Sequence, residues 1–375
     1  MKLLYITNAR IPTEKAHGYQ ICKMCEEFSN LGHEVELILP KRENFIKETA
    51  FDFYGIKNNF KITYLKSFDF IKLDKIIGGR MACYLQELVF LLKLFFVKLN
   101  KEAIIYTRSA EIAWLFKIKN YKTIFEMHYW PESKEKIFKR MIRKIDEFVV
   151  ITDILKEKLL KNDIKEKDII VSPDGVDIDR FDINISKDDA RAKINLLKDK
   201  NIIMYVGHLY GWKGAHILAE SAKEFDNNTI FVFVGGTDGD IEKFKQKYQR
   251  DNIIIAGRKK HEEVPVYMKA ADILVLPNTK AKKISSHYTS PLKMFEYMAS
   301  GRPIIASDLP SIREVLDNYN AIFFDPGKPI DLAKKINYIL NNPDKAGVLV
   351  ENSLEKIKQH SWTKRAEKIK EFIKV

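Results

Sequence analysis

Cysteine is scarce: Cys22, Cys25 and Cys83 are the three thiols in 375 residues. So few thiols exclude a disulfide-stapled scaffold, and a chain of this length can bury two sizeable cores without one. With no leader ahead of the first strand-like run, KLLYIT, they predict a reducing, cytoplasmic setting. Cys22 and Cys25 form a C-x-x-C, yet they fall inside a helical pattern with Ile21, Met24 and Phe28. No second pair completes a zinc site, so they read as packed helix thiols. Uncharged apolar runs are short. The longest candidate, Met81–Asn100, is interrupted by Glu87, Lys93 and Lys98, whereas a spanning helix needs about 20 nearly uncharged residues. Its spacing predicts a helix that either packs on a sheet, the favoured reading, or lies along a membrane as a monotopic anchor. Glycine-rich nucleotide fingerprints are missing too. There is no G-x-G-x-x-G after the first strand, which excludes a dinucleotide oxidoreductase, and no G-x-x-x-x-G-K-[ST]. Repeats and low-complexity segments are absent.

What remains is an ordinary globular composition, 46% hydrophobic and 31% charged, with an excess of cations: the net charge is +13. Such a balance favours polyanions, whether nucleic acid, an anionic membrane surface or phosphorylated small molecules. The densest stretch is Ser133–Lys144, SKEKIFKRMIRK. Ile137, Phe138, Met141, Ile142 and Ile145 recur at helical spacing around its cations. That pattern suits a basic amphipathic helix on a membrane interface, and equally a solvated face over a core contact.

Strand-like runs alternate with helical patterns throughout. KLLYIT, EVELILP, KITYLK, AIIYTR, TIFEMH, FVVIT and DIIVSP fill the first half. NIIMYVG, TIFVFVGG, NIIIAG, DILVLP, PIIAS and AIFF fill the second. Several are unbroken Ile/Val/Leu runs, as parallel strands covered on both faces should be. The alternation predicts an α/β chain of two Rossmann-like, doubly wound parallel-sheet domains facing a central cleft. The turn-rich SPDGVDIDRF, Ser172–Phe181, marks the boundary. The expected domains are 1–175 and 176–355, with a C-terminal helix, 356–375, packing back on the first.

Ligands of open α/β sheets bind beyond the strand C-termini, so the loops there carry the functional reading. After the first strand, Gly18 precedes a helix where a ligand can approach the backbone. After the fifth, His128 follows the apolar run directly, beside Tyr129 and Trp130. In YVGHLYGWKGAH, Gly207, Gly211 and Gly214 loosen a loop that also carries His208 and Lys213, a pattern suited to phosphate. Gly257 and Arg258 end a later strand. In TSPLKMFEYMASGRPIIAS, Ser290 reads as an N-cap, Pro291 as the first helical residue and Gly301 as the helix stop. Lys293 and Glu296, three apart, share one helix face. A sugar nucleotide reconciles these loops. Lys213, Lys293 and helix-tip amides would hold its diphosphate, Glu296 would accept from its ribose, and the loop at Gly257 and Arg258 would meet its base.

These residues resemble a known family. The chain is similar to retaining glycosyltransferases of the GT-B fold, in the large family-4 group (glycosyl transferases group 1), over nearly its whole length. The stretch ending at Glu296 resembles the family's E-x7-E signature before A-x-G-x-P-I-I-A; Glu296 matches the second glutamate, which holds the nucleotide ribose. VGHLYGWKG resembles the G-R-L…K-G loop, in which Lys213 would bind the donor diphosphate. AGRKKHEEVPVYMKAADILVLP resembles the nucleotide-base loop and the strand after it, and SPDGVDIDRF the interdomain P-N-G-V-D…F. His128 matches a strand-end histidine near donor sugar and acceptor, and Gly18 the glycine lying against the phosphates. Two positions depart from the pattern: Tyr288 stands where the first glutamate would be, and His208 replaces a phosphate-binding arginine.

The resemblance implies transfer with retention at the anomeric carbon, without a metal or other cofactor. The donor would be a nucleotide-diphosphate sugar, UDP- or GDP-linked. The acceptor would be a glycan, lipid-linked oligosaccharide or glycolipid in cell-surface polysaccharide synthesis, held by the first domain. Catalytic roles fall on His128, Lys213 and Lys293. Diphosphate contacts fall on Gly18, His208, Lys213, Ser290, Pro291, Leu292 and Lys293, and donor-sugar contacts on Tyr288, Thr289 and His128. Nucleic acid is not an expected partner. A peripheral contact with the inner face of an anionic membrane is expected through Ser133–Lys144. DGD (Asp238–Asp240) and DID (Asp177–Asp179) look like metal motifs, and both read as solvated turns.

Overall fold

In a computed structural model that describes residues 1–374, the chain divides into two compact units: residues 1–172 with 362 onward, and residues 173–361. The first unit carries a seven-stranded sheet: β1 (Lys2–Ile6), β2 (Glu34–Lys41), β3 (Lys61–Lys66), β4 (Ile104–Thr107), β5 (Thr123–Met127), β6 (Glu147–Val150) and β7 (Ile169–Val171). The second carries a six-stranded sheet: β8 (Asn201–Val206), β9 (Thr229–Val234), β10 (Ile253–Gly257), β11 (Ile273–Leu276), β12 (Ile304–Ser307) and β13 (Ile322–Phe324). Each strand coincides with one of the apolar runs read from the sequence, β2 and β6 overrunning theirs by one residue, at Lys41 and Glu147, and every pairing between them is parallel.

The spatial orders are β3-β2-β1-β4-β5-β6-β7 and β10-β9-β8-β11-β12-β13. In both, the chain reverses its direction of travel across the sheet at the first strand. The crevices between β1 and β4, and between β8 and β11, are therefore topological switch points, where loops diverge to opposite faces. Both faces of the second sheet are buried. Along β8, Ile202, Met204 and Val206 enter one core while Ile203 and Tyr205 enter the other. Burial of both faces explains why that strand reads as unbroken apolar sequence rather than as an alternation.

The final helix, Trp362–Lys374, belongs to the first unit despite following the last strand of the second sheet. It lies along the helix Ala16–Asn30, burying Trp362, Ala366 and Ile369. The Thr363 hydroxyl donates to Glu27 at 3.0 Å, and Lys370 Nζ donates to the Leu31 carbonyl at 2.8 Å. The expected helix over 356–375 is two elements: one helix ends at Ile357, and the next begins at Trp362. The units part after Ser172 and Ser361, rather than at 175 and 355. Cys22 and Cys25 are buried in the helix Ala16–Asn30, and burial pushes both thiols up, away from the reactive thiolate.

Candidate active site

At the C-terminal edge of the second sheet, adjoining loops crowd so closely that glycine is required. Gly207 N–H donates to the Val234 carbonyl and Gly235 N–H to the Gly257 carbonyl, each at 2.8 Å. A Cβ on Gly235 would lie 2.6 Å from the Gly207 carbonyl oxygen. At Gly214, φ is +78° and a Cβ would sit 1.7 Å from the Pro277 carbonyl oxygen. Gly214 thereby seats the Gly211–Lys213 turn on the end of β11, at the switch point, and opens the helix Ala215–Ser221. The Trp212 carbonyl accepts from Thr279 N–H at 3.1 Å, which fixes the same loop from the far side.

Lys293 crosses this edge. Its side chain passes Gly207, whose ideal Cβ lies 3.7 Å from Lys293 Cδ, and its Nζ sits 4.2 Å above the Tyr205 ring. The Tyr205 hydroxyl donates to the His208 carbonyl at 2.6 Å, so the aromatic platform is fastened to the loop it serves. Lys293 Nζ is buried and has no hydrogen-bond partner among the described residues. Burial first, then the Lys213 charge, pulls its pKa well below the usual lysine value, against the pull of Glu296. Lys213, its Nζ 4.2 Å over the Trp212 ring, is lowered to about 8 by burial. Glu296 is raised to about 7 by burial, offset in part by Arg180 and Lys293. His261 Nε2 lies 3.9 Å from the Glu296 carboxylate, and its ring meets Phe181 edge-on. Two lysines and one carboxyl group thus share a strongly desolvated field, each pushed towards its neutral form until a charged ligand enters. A buried ammonium without an acceptor is the arrangement an anion completes.

The helix that carries Lys293 begins later than its sequence suggests. Leu292 is the first helical residue and Pro291 occupies the N-cap, without a side-chain cap. Ser290 is not the cap; its hydroxyl accepts from Asp174 N–H at 3.0 Å instead. Gly301 does take the left-handed stop, at φ +67°. An uncapped helix start next to Lys293 leaves amides free for an anion. Tyr288 is buried and Thr289 half-buried just before it, while His208 stacks on Tyr210 with ring centroids 4.9 Å apart. Gly257 (φ +69°) ends β10 at a register shift, and Arg258 beyond it is exposed.

Two sequence candidates lie in the first unit. Gly18 is buried because Tyr54 comes close: a Cβ there would meet the Tyr54 hydroxyl at 2.1 Å. That hydroxyl accepts from Thr13 N–H and donates to the Thr13 carbonyl, so the approach at Gly18 is made by protein. His128 directly follows β5, over a buried polar cluster that sequence reasoning missed. Its Nε2 meets Glu126 Oε1 at 2.6 Å, the Tyr106 hydroxyl donates to Glu126 Oε2 at 2.5 Å, and Arg365 approaches Glu126 within 3.1 Å. Burial and the Arg108 charge lower His128 to about 3, so it is neutral at physiological pH. Tyr205 and Asn278 were also missed. Asn278 is fully buried after β11, and both its amide atoms lack partners among the described residues.

His17, lowered to about 4 by burial, shares the behaviour of His128. Both folded values lie below the unfolded value of about 6.5. The unfolded chain therefore takes up these protons first as pH falls. Their contribution is complete above about 6.5 and declines as pH falls towards the folded values. Thermal denaturation against pH should show that decline, and His128→Asn should shallow it.

DGD and DID are helix starts rather than turns, with Asp238 and Asp179 exposed to solvent as expected. Asp238 and Asp240 lie in the first turn of Asp238–Tyr248, where Asp240 accepts from the Thr237 hydroxyl at 2.6 Å. Asp177 precedes the short helix Ile178–Phe181. Among the described residues no cluster of three or more His, Cys, Asp or Glu is placed to hold a metal ion.

Comparison with known proteins adds a likeness to glycosyltransferases. Residues 186–356, which span Lys213, Lys293 and Glu296, match the family described as Glycosyl transferases group 1. An uncharacterized glycosyltransferase of Methanocaldococcus jannaschii is 26% identical over 337 residues, covering 86% of this chain and 80% of that protein. The UDP-Gal:alpha-D-GlcNAc-diphosphoundecaprenol alpha-1,3-galactosyltransferase of Escherichia coli is 33% identical over 153 residues, covering 38% of this chain and 37% of that one. Among solved structures, Anabaena HepE in complex with UDP and glucose superposes with a TM-score of 0.73 at 15% identity, over 100% of this chain and 99% of that chain. The fold is GT-B, and these matches together support a glycosyltransferase.

Proposed function

We propose that the chain is a retaining glycosyltransferase that moves a sugar from a nucleotide-diphosphate sugar, UDP- or GDP-linked, to a hydroxyl of a glycan, lipid-linked oligosaccharide or glycolipid. The observation that carries this reading is the buried, acceptor-less Lys293 ammonium beside Lys213 and an uncapped helix start. Charge develops on the diphosphate as the sugar bond breaks. Cations already fixed in a desolvated site stabilise that charge without reorganising at the moment of reaction. In this reading Lys213, Lys293, His208 and the backbone around Ser290, Pro291 and Leu292 take the diphosphate. Glu296 takes the ribose hydroxyls, and Gly257 with Arg258 the base. Tyr288, Thr289 and His128 are assigned to the sugar, while Gly18, whose approach is filled by Tyr54, drops out of the reading. Catalysis without a metal is part of the proposal, as is work on the cytoplasmic side of a membrane. The nucleotide-sugar donor finds support in the UDP bound to HepE and in the UDP-Gal named for the galactosyltransferase, whose diphosphoundecaprenol acceptor supports a lipid-linked one.

A thermal-shift panel of nucleotide sugars tests this directly. A true donor present at 100 times its Kd should add about 2.7 kcal/mol to apparent stability. Glu296→Ala should remove most of that shift; a shift unchanged in the variant would overturn the site. The same titration should depend on pH in both directions. Below about 7 Glu296 takes up a proton, which turns one of its oxygens into a donor and weakens its hold on the ribose hydroxyls. Above about 8 Lys213 loses its charge. Donor affinity should therefore peak between these values and fall on either side, approaching about tenfold per pH unit.

A further inference from the structure

The helix Gly79–Phe96 has two apolar faces, and only one is used. Ala82, Phe90 and Leu94 are buried; Phe90 and Leu94 join the core with Leu4, Ile6 and Phe116. Met81, Tyr84, Leu88, Leu92 and Phe95, spaced by three or four residues, run along the other side and stand about half exposed, with Phe96 77% exposed beside them. The segment before the helix adds Phe68 and Ile76, both exposed. Lone surface apolar residues are ordinary; a stripe running the length of one helix is not. Lys119 holds the end of the helix firmly, donating to the carbonyls of Leu94, Phe95 and Val97.

Cations rim the stripe. Arg80 and Lys93 lie on the helix itself, and Lys134 Nζ sits 4.2 Å over the Tyr84 ring. Lys134 opens the Ser133–Lys144 segment, where six basic residues face one acidic one. That segment supplies little apolar surface of its own: Phe138 and Ile142 are buried, and Ile137 alone stands well exposed there. It supplies charge, with Lys136, Arg140 and Lys144 exposed. No helix among the described residues is long and apolar enough to cross a membrane. An apolar ridge bordered by cations, too short to span, is the chemistry of a surface bound at the lipid headgroup boundary.

We propose that the outward face of Gly79–Phe96 is a seat for an anionic lipid bilayer. Met81, Tyr84, Leu88, Leu92, Phe95 and Phe96 enter the interface, while Lys134 and its neighbours meet the headgroups. The seat stands on the first unit alone and does not depend on the sugar-transfer reading.

Flotation of the full chain with phosphatidylcholine vesicles, with and without phosphatidylglycerol, tests it. The protein should float with the anionic vesicles at least about tenfold more than with the neutral ones, and less as salt rises. The double variant L88E/L92E should abolish flotation, and K134E/R140E should erase the anionic preference. Far-UV circular dichroism and the donor thermal shift, measured on the same variants, show that both units remain folded. Three outcomes overturn the proposal: no flotation with either vesicle, flotation of L88E/L92E equal to the parent, or a lipid-free dimer that L88E/L92E makes monomeric. The last would assign the stripe to a second copy of the chain. A lost donor shift with intact flotation would instead overturn the transferase reading alone.

Discussion

Lys293→Met is expected to lower sugar transfer by about two to three orders of magnitude while raising the thermal stability of the ligand-free protein. The opposite signs follow from one fact. Lys293 is buried across the edge of the second sheet, with its Nζ over Tyr205 and no hydrogen-bond acceptor among the described residues. A buried polar group left in that state costs about 1–3 kcal/mol. Methionine keeps the unbranched stem beside Gly207 and removes the cost. The cation–π contact returns about 0.5–2 kcal/mol of that penalty, so the net gain is expected at the lower end. The same group is what a diphosphate would neutralise, and methionine offers it nothing. Lys213→Ala should lower transfer without the stability gain, because Lys213 is only partly buried and rests on the Trp212 ring. Transfer rates on each variant, with melting curves recorded without donor, check both halves. A Lys293→Met protein less stable than its parent would mean that the ammonium is satisfied without a ligand.

The sequence made the strands legible because each is an Ile/Val-rich run closed by turn chemistry, and parallel strands buried on both faces leave few alternatives. Lys293 and Glu296 were legible for a related reason, as charges in an otherwise apolar helix. The helix start was not, because Ser290 is used by Asp174, which lies far back in the chain. A propensity rule sees only neighbours in sequence, and Ser-Pro satisfies that rule whether or not the hydroxyl is free. Gly18 marks a similar limit. A glycine before a helix reads as room for a ligand, but the space is taken by Tyr54, brought there by tertiary packing. The outward stripe of Gly79–Phe96 was legible only as the less favoured of two readings, since an apolar residue carries no mark of which face it will occupy. Glu126 did leave a trace, as a carboxylate inside the apolar strand TIFEM. Its partner, on a helix beyond the whole second unit, left none.

That pairing carries the other large effect. Arg365→Met is expected to destabilise the first unit by about 3–5 kcal/mol, the usual consequence of removing one partner from a buried ion pair. Glu126 is 1% exposed, and Arg365 is the largest of the influences that hold its pKa well below the ordinary carboxylate range. With the guanidinium gone, the Tyr106 hydroxyl and His128 still bond the carboxylate, but only the weaker influence of the Arg108 charge is left to balance it. The double variant Glu126→Gln/Arg365→Met should recover much of the loss, because a neutral amide needs no counter-ion. His128 reports the same change independently. Arg365 helps to hold its pKa down, so in Arg365→Met the imidazole should titrate above about 3, a rise readable from its ring proton shifts by NMR. A destabilised variant with an unmoved histidine would confine Arg365 to packing. A histidine that moves would tie the C-terminal helix to the protonation state of the residue assigned to the donor sugar. The helix Trp362–Lys374 would then close the first unit and tune the edge at which β5 ends.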